Sequence, residues 1–183
     1  MDALATPAIA FKQLTDELQR DGLNPKNAVR VAGEIARALN VKDHEVGILR
    51  LEKQMLHFVH PAKLATVGAI PVNTSIAIAA RVVSTKKPEV INSLAQTKHA
   101  SVFESVELQK KPKVVGQQAN PEEKLAHVIQ KMMSVPIIGQ AGVVGVIEVS
   151  RKGKSAPGAG PDFSPADLQK LVTIASSLVR CFK

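Results

Sequence analysis

Apolar residues recur at helical spacing in two segments that begin with the same pattern, an N-cap residue followed by proline. In residues 25–39 and 165–182, apolar positions fall three and four residues apart, the spacing of one helix face. Each segment follows an Asn or Ser suited to an N-cap and has Pro at the first helical position, where the missing N–H costs nothing. We therefore predict helices there. Their apolar positions are Ala28, Val31, Ala32, Ile35 and Leu39, then Leu168, Leu171, Val172, Ala175, Leu178, Val179 and Phe182.

Three further patterns predict helices, of which the one at 8–20 is weaker. The first covers residues 8–20, and the second covers 121–131, which follows an Asn-Pro start of the same kind. The third, residues 75–85, is built from Ala and other small or apolar residues, and we expect Asn73 or Thr74 to cap it.

Short runs rich in Val, Ile and Leu predict a set of strands between these helices. Their order along the chain favours an α+β domain, with an antiparallel sheet and helices on its faces. Two long polar connections, 97–119 and 151–162, are typical of lids, binding loops or disordered segments. The predicted strands are 45–52, 54–60, 68–73 as an edge strand, 88–92, 132–138 and 143–150.

Composition fits one globular domain of 183 residues, with 45% apolar and 22% charged residues. The net charge is +8, but the lysines are scattered and no aromatic residues interleave with them, so we expect no nucleic-acid partner. An anionic ligand or partner stays open. The sequence shows no secretory signal and no apolar run of about 18–20 residues, so we expect a cytoplasmic protein that does not enter a membrane.

Residues that could carry chemistry are few. A single cysteine, Cys181, excludes an internal disulfide framework and a zinc site of the Cys-rich kind. Among the five histidines, His57, His99 and His127 could converge in one cavity and bind an anion, a metal or haem, or they could be surface or hydrogen-bonded core residues. The common catalytic motifs are missing, and we predict neither catalytic nor metal-binding residues.

Three separated stretches resemble the GAF domain family. They are AIAARVVSTKKPEVIN at 77–92, MMSVPIIGQAGVVGVIEVSRK at 132–152 and FSPADLQKLVTIASSL at 163–178. In the family, the first stretch commonly ends in Asp, where this chain has Asn92. The resemblance that they indicate extends over about residues 41–182.

The resemblance implies a GAF-like, PAS-related α+β fold with a twisted antiparallel sheet of five or six strands. It implies a ligand cavity between one sheet face and the helices and loops of residues 60–131. It places the N- and C-terminal helices on the other face, where such proteins often form homodimers. We accordingly expect residues 1–40 to form N-terminal helices for packing or dimerisation and residues 41–183 to form the GAF domain.

One family motif is incomplete here. Members that bind cyclic nucleotides often carry Asn-Lys, a spacer and Phe-x-x-x-Asp-Glu, to which Lys152, Phe163 and Asp167 correspond while Arg151 and Leu168 depart. A pair between Lys152 and Asp167 could tie the loop to the last helix. Alternatively, Lys152 is a solvated side chain and Asp167 a helix-start residue.

One branch of the family reduces free methionine sulfoxide, which needs a thiolate nucleophile and a resolving thiol. Because Cys181 is the only cysteine and lies on the apolar end of the last helix, we expect this chain not to be an enzyme. The same cysteine offers no anchor for a bilin, and we name no cofactor.

The resulting prediction is a sensory or regulatory domain that binds an unidentified small molecule, forms a homodimer through its terminal helices and acts on a partner protein in trans. The alternative is a degenerate GAF domain that serves dimerisation or protein interaction without a ligand. The resemblance assigns ligand contact to the backbone of Ile78 and Ala79. The further candidates are Phe103 as a cover for a ring, Ser134 as a lining residue, and His57 and His99.

Overall fold

The computed structural model of the chain describes residues 14–16, 18–66, 68–94 and 128–182. Six strands form one antiparallel sheet in the order β3-β2-β1-β6-β5-β4. Helices cover both faces, so the predicted α+β architecture is confirmed. The elements are α1 (Pro25–Leu39), β1 (Val46–Glu52), β2 (Met55–His60), β3 (Ala69–Pro71), α2 (Ile78–Thr85), β4 (Glu89–Ile91), β5 (Ile129–Gly139), β6 (Gly142–Lys152) and α3 (Pro165–Leu178).

The first and last helices, α1 and α3, pack on one face of the sheet. Their N-termini form as predicted: Asn24 accepts hydrogen bonds from the backbone of Lys26 and Asn27, and Ser164 and Asp167 bond each other's backbone N–H groups. The apolar stripes of both helices meet one set of strand side chains. These are Val46, Ile48, Val59, Met133, Val135, Ile137, Ile147 and Val149.

The short helix α2 packs on the opposite face, across β5 and β6. Its buried residues are Ile78, Ala79, Ala80 and Val82, so its inner surface is made mostly of small side chains. They join a second apolar cluster, separate from the first. On the strands this cluster contains Leu49, Leu56, Phe58, Ile70, Ile129, Met132 and Val146. Among the described residues, no helix has the length and apolarity that a membrane crossing requires.

Two predictions about helix ends are wrong. The helix predicted over 121–131 does not include its last residues, because Ile129 already pairs with Lys152 in the ladder between β5 and β6. The pairing of long strands overrides the local apolar spacing there; residues 121–127 lie outside the described part. Helix α2 begins only after Ala77, without a side-chain cap, since Thr74 accepts a hydrogen bond from the backbone of Ile76 instead.

The strand predictions are otherwise confirmed. Pro71 lies in β3 at the edge of the sheet, where its missing N–H is tolerated. Helix α2 ends at Thr85, as predicted: Lys86 adopts a left-handed conformation with φ 56°, and its N–H donates to the carbonyl of Val82. The predicted helix over 8–20 lies largely outside the described residues, although Leu14 and Leu18 are buried in the core.

Candidate functional site

A row of directly paired residues crosses four neighbouring strands. Gly47 of β1 lies opposite Glu148 of β6, Glu148 lies opposite Ser134 of β5, and Ser134 lies opposite Glu89 of β4. Residues paired in this way share one face of the sheet, with Cβ atoms about 4.5–5.5 Å apart. The three polar side chains are therefore neighbours.

Strand alternation shows that this row faces α2. Met132 and Val146, each two residues before a member of the row, belong to the apolar cluster beneath α2. Met133 and Ile147, one residue away, belong to the cluster beneath α1 and α3. Because side chains alternate between faces along a strand, Ser134 and Glu148 lie in the layer between the sheet and α2.

Two members of the row are buried without hydrogen-bond partners in the described part of the chain. The side chain of Ser134 is 0% exposed, and its Oγ has no partner. Glu148 is 5% exposed, and burial raises the pKa of its carboxyl to about 7, with no hydrogen bond or charge to offset the effect. Gly47 adds no side chain beside it. Buried polar groups are normally bonded, so this pair offers a ligand two positions for polar contact.

The fourth member of the row is already satisfied. Glu89 accepts two hydrogen bonds from the guanidinium of Arg81 on α2, including one from Nε at 3.2 Å. The fork geometry binds both carboxylate oxygens. The unsatisfied part of the row is therefore the pair Ser134 and Glu148.

The structure brings three of the predicted ligand residues into this layer. Ile78 and Ala79 are buried in the first turn of α2, and Ser134 lies on the sheet below. His57 does not join them. Its neighbours Leu56 and Phe58 point to the α2 side, so His57 lies on the opposite face, where it is exposed. Phe103 and His99 lie outside the described residues, as does His127.

Glu148 was not among the residues singled out from the sequence. The pattern of β6 contained a signal, because Glu148 interrupts the otherwise apolar run of residues 142–149 in a central strand. The strand periodicity alone could not say which face Glu148 occupies. The register with Ser134 supplies that information.

The loop between β6 and α3 is held by other contacts than the predicted pair. Lys152 donates through Nζ to the carbonyl of His44 at 3.4 Å, while Asp167 bonds Ser164. Asp167 has the alternative role at the helix start, where Ser164, Lys170 and Arg151 are the groups that lower its pKa. Lys152 is buried, so its alternative as a solvated side chain is wrong. Lys131 instead holds the loop, through a hydrogen bond from Nζ to Asp162 at 2.7 Å.

A pair of hydrogen bonds, here called the Asn92 clamp, joins the end of β4 to the segment before α3. The side-chain amide of Asn92 donates to the carbonyl of Phe163 at 3.2 Å and accepts from its N–H at 2.8 Å. An amide can do both because it carries a donor and an acceptor. This contact fixes the start of α3 against the end of the sheet.

The other candidate groups lie elsewhere. Cys181 is fully buried on the α1 and α3 side of the sheet, where its Sγ lies 3.8 Å from the carbonyl of Thr15. His60 is buried near the end of β2, and burial lowers its pKa, partly offset by Asp43. Within the described ranges, no cluster of three or more His, Cys, Asp or Glu residues could hold a metal ion.

Solved structures share the fold of this protein across nearly the whole chain. The GAF domain of an Acinetobacter phosphoenolpyruvate-protein phosphotransferase superposes with a TM-score of 0.62 at 13% identity, covering 100% of this chain and 94% of its own. The GAF domain of nlh2 from A. aeolicus, in an inactive state, gives 0.61 at 17% identity, covering 98% of each chain. This is the GAF fold. The resemblance seen in the three sequence stretches is thus confirmed at the level of fold. No family model matches the sequence, and no curated protein matches it.

One comparison corrects the expectation that the chain is not an enzyme. The free methionine-R-sulfoxide reductase of Neisseria meningitidis, solved in complex with its substrate, superposes on this GAF fold with a TM-score of 0.57 at 14% identity. The match covers 100% of this chain and 93% of the reductase. Since the same fold carries an enzyme there, counting cysteines was not a sufficient ground for the exclusion.

Proposed function

We propose that this GAF domain is a sensory domain that binds a small molecule between the sheet and α2. The observation that carries the proposal is the pair Ser134 and Glu148, buried beneath α2 without hydrogen-bond partners among the described residues. Leaving a fully buried polar atom such as the Oγ of Ser134 unsatisfied costs about 1–3 kcal/mol. A ligand that bonds it recovers this free energy, which favours binding at this position.

The start of α2 adds a second kind of contact. Its N-cap residue, Ala77, makes no side-chain cap, so the first-turn N–H groups of Ile78 and Ala79 have no capping acceptor. These N–H groups and the helix dipole favour an acceptor or partly negative group of the ligand. The proposed ligand is thus polar at both ends of the layer and lies against small apolar side chains between them.

Strand β6 provides a path from this site to the terminal helices. Three residues beyond Glu148, the buried Arg151 donates to the carbonyls of Leu39 and Asn40 at the C-terminus of α1, at 3.3 and 3.0 Å. Its guanidinium also lies 4.8 Å from the ring centroid of Phe163, just before α3. We propose that occupancy of the site is passed through β6 to α1 and α3, and from there to a partner protein in trans.

A thermal-shift screen tests the binding. Nucleotides, amino acids and tetrapyrroles are tested on the wild type and on Ser134→Ala, with the exposed Ser176→Ala on α3 as the matched control. A compound at 100 times its Kd stabilises the folded protein by about 2.7 kcal/mol and raises the Tm. We expect Ser134→Ala to reduce this shift and Ser176→Ala to preserve it. A screen in which no compound raises the Tm at millimolar concentration contradicts the proposal.

An exposed apolar side chain favours the second candidate function, dimerisation. Val29 is 55% exposed on the outer face of α1. We propose that two copies pair through their terminal helices, and we expect Val29→Asp to shift sedimentation equilibrium towards monomer. An unchanged molecular mass contradicts this pairing. The domain boundary at residue 40 and the cytoplasmic location stay predictions.

A further inference from the structure

The charges around the candidate site are matched at every position but one in the described part of the chain. On α2, the guanidinium of Arg81 is bound by Glu89. On β5, Ser134 is neutral, and on β1, Gly47 has no side chain. Glu148 is thus the one ionisable side chain of the row whose charge, once formed, lacks a partner.

The charged groups at the far end of β6 have hydrogen-bond partners of their own. The carboxylate of Glu45 accepts hydrogen bonds from the backbone N–H groups of Lys42 and Lys152, at 2.8 and 2.7 Å. The Nζ of Lys152 bonds the carbonyl of His44. Burial is accordingly the one cause of the raised pKa of Glu148, with no attraction or repulsion from these groups.

We infer that the ligand carries a protonated nitrogen, of the primary amine or guanidinium class, which Glu148 and Ser134 bind in place of the proton that Glu148 holds in the empty site. This inference rests on the proposed function and names the ligand class for the same site. A buried carboxylate requires a compensating positive charge. In the empty site that charge is a proton, and in the occupied site it is the cation.

The exchange leaves the net charge of the buried layer unchanged. One O–H bond of Glu148 breaks, its proton passes to solvent, and the carboxylate accepts N–H hydrogen bonds from the cation. Ser134 accepts a further N–H bond, since its Oγ has free lone pairs. An anionic ligand group at this position would repel the carboxylate and could bind only while Glu148 keeps its proton, and a neutral donor brings no charge that replaces that proton.

NMR titration of the full chain, labelled with carbon-13 in the glutamate carboxyls, tests the inference. The probes are n-butylammonium and methylguanidinium, with n-butanol as the neutral and butyrate as the anionic counterpart. We expect the cations to shift the Glu148 resonance and to lower its midpoint of titration. With an empty-site pKa of about 7, the Kd of a cation should weaken about tenfold between pH 8 and pH 6.

Glu148→Gln removes the titrating group with little change of shape. The control is Glu52→Gln, which removes an exposed carboxylate from β1 of the same sheet. We expect the former to weaken cation binding at least tenfold and to abolish its pH dependence, and the latter to do neither. If Glu148→Gln fails to fold, the titration of the wild type still tests the inference, because it measures both cation binding and the titration midpoint of Glu148. Binding of butyrate or n-butanol in preference to the cations, or cation binding without proton release, overturns the inference but leaves the proposed function standing. If none of the four probes binds, the inference fails, and the proposed function fails with it only if no compound of the thermal-shift screen raises the Tm.

Discussion

Ser134 and Glu148 lie opposite each other on β5 and β6, buried beneath α2. Their position is fixed from the other side of the sheet, because Met133 and Ile147 next to them are packed in the core beneath α1 and α3. A slip of one residue in register would turn these apolar side chains out of that core. The packing of one face therefore holds the polar pair of the other face in place.

Stability should fall as pH rises through the range in which Glu148 titrates. The unfolded carboxyl loses its proton near pH 4.5, whereas the folded one retains it up to a pKa of about 7. Between these values the folded state binds more protons, so the free energy of unfolding decreases with pH, by about 3 kcal/mol in total. Urea denaturation at pH 5 and pH 8 measures the decrease. Glu148→Gln should remove most of it, and an equal decrease in both proteins would contradict the burial of this carboxyl.

The clamp at Asn92 should not tolerate an acid. Asn92→Asp keeps the acceptor for the N–H of Phe163 but loses the donor to its carbonyl. We expect a loss of about 1–2 kcal/mol in the free energy of unfolding. The exposed Asn73→Asp, with the same change of charge, should shift stability by less than about 0.5 kcal/mol. Equal effects of the two substitutions in urea denaturation would contradict the role of the clamp.

Two substitutions of glycine by alanine should change the stability of the protein in opposite directions. A Cβ at Gly145 would lie 2.5 Å from the carbonyl oxygen of Leu49 and 2.6 Å from a ring carbon of Phe182, so Gly145→Ala should cost about 1–3 kcal/mol. A Cβ at Gly33 in α1 meets nothing within 4 Å, so Gly33→Ala should stabilise by up to about 1 kcal/mol. Thermal unfolding of both variants measures the difference, and a destabilised Gly33→Ala would contradict the packing of α1.

Much of the fold could be predicted from local signals. Helices α1 and α3 have capped starts, with Pro25 and Pro165 at the first helical position, and their apolar spacing continues for several turns. The strands were predicted from short runs rich in Val, Ile and Leu, and the last hairpin closes at Gly139 and Gly142. These signals are local because each depends on residues a few positions apart.

The remaining features depend on contacts between distant residues. Ile129 belongs to β5 because β6 extends to Lys152, which no local pattern around residue 129 reveals. Ser134 could be proposed from its apolar neighbours, but Glu148 became part of the site only when the register placed it opposite Ser134. The face occupied by His57 was likewise decided by the packing of Leu56 and Phe58. Tertiary pairing, and not propensity, determines the site.

Chemical-shift mapping of the labelled protein, with the compounds that raise its Tm, tests the central claim most directly. We predict shifts centred on Ser134, Glu148 and the first turn of α2, at Ile78 and Ala79, with Ile174 on the opposite face unchanged. Shifts centred on α1 and α3, or no shift at Ser134 and Glu148 under saturating ligand, would contradict a binding site between the sheet and α2.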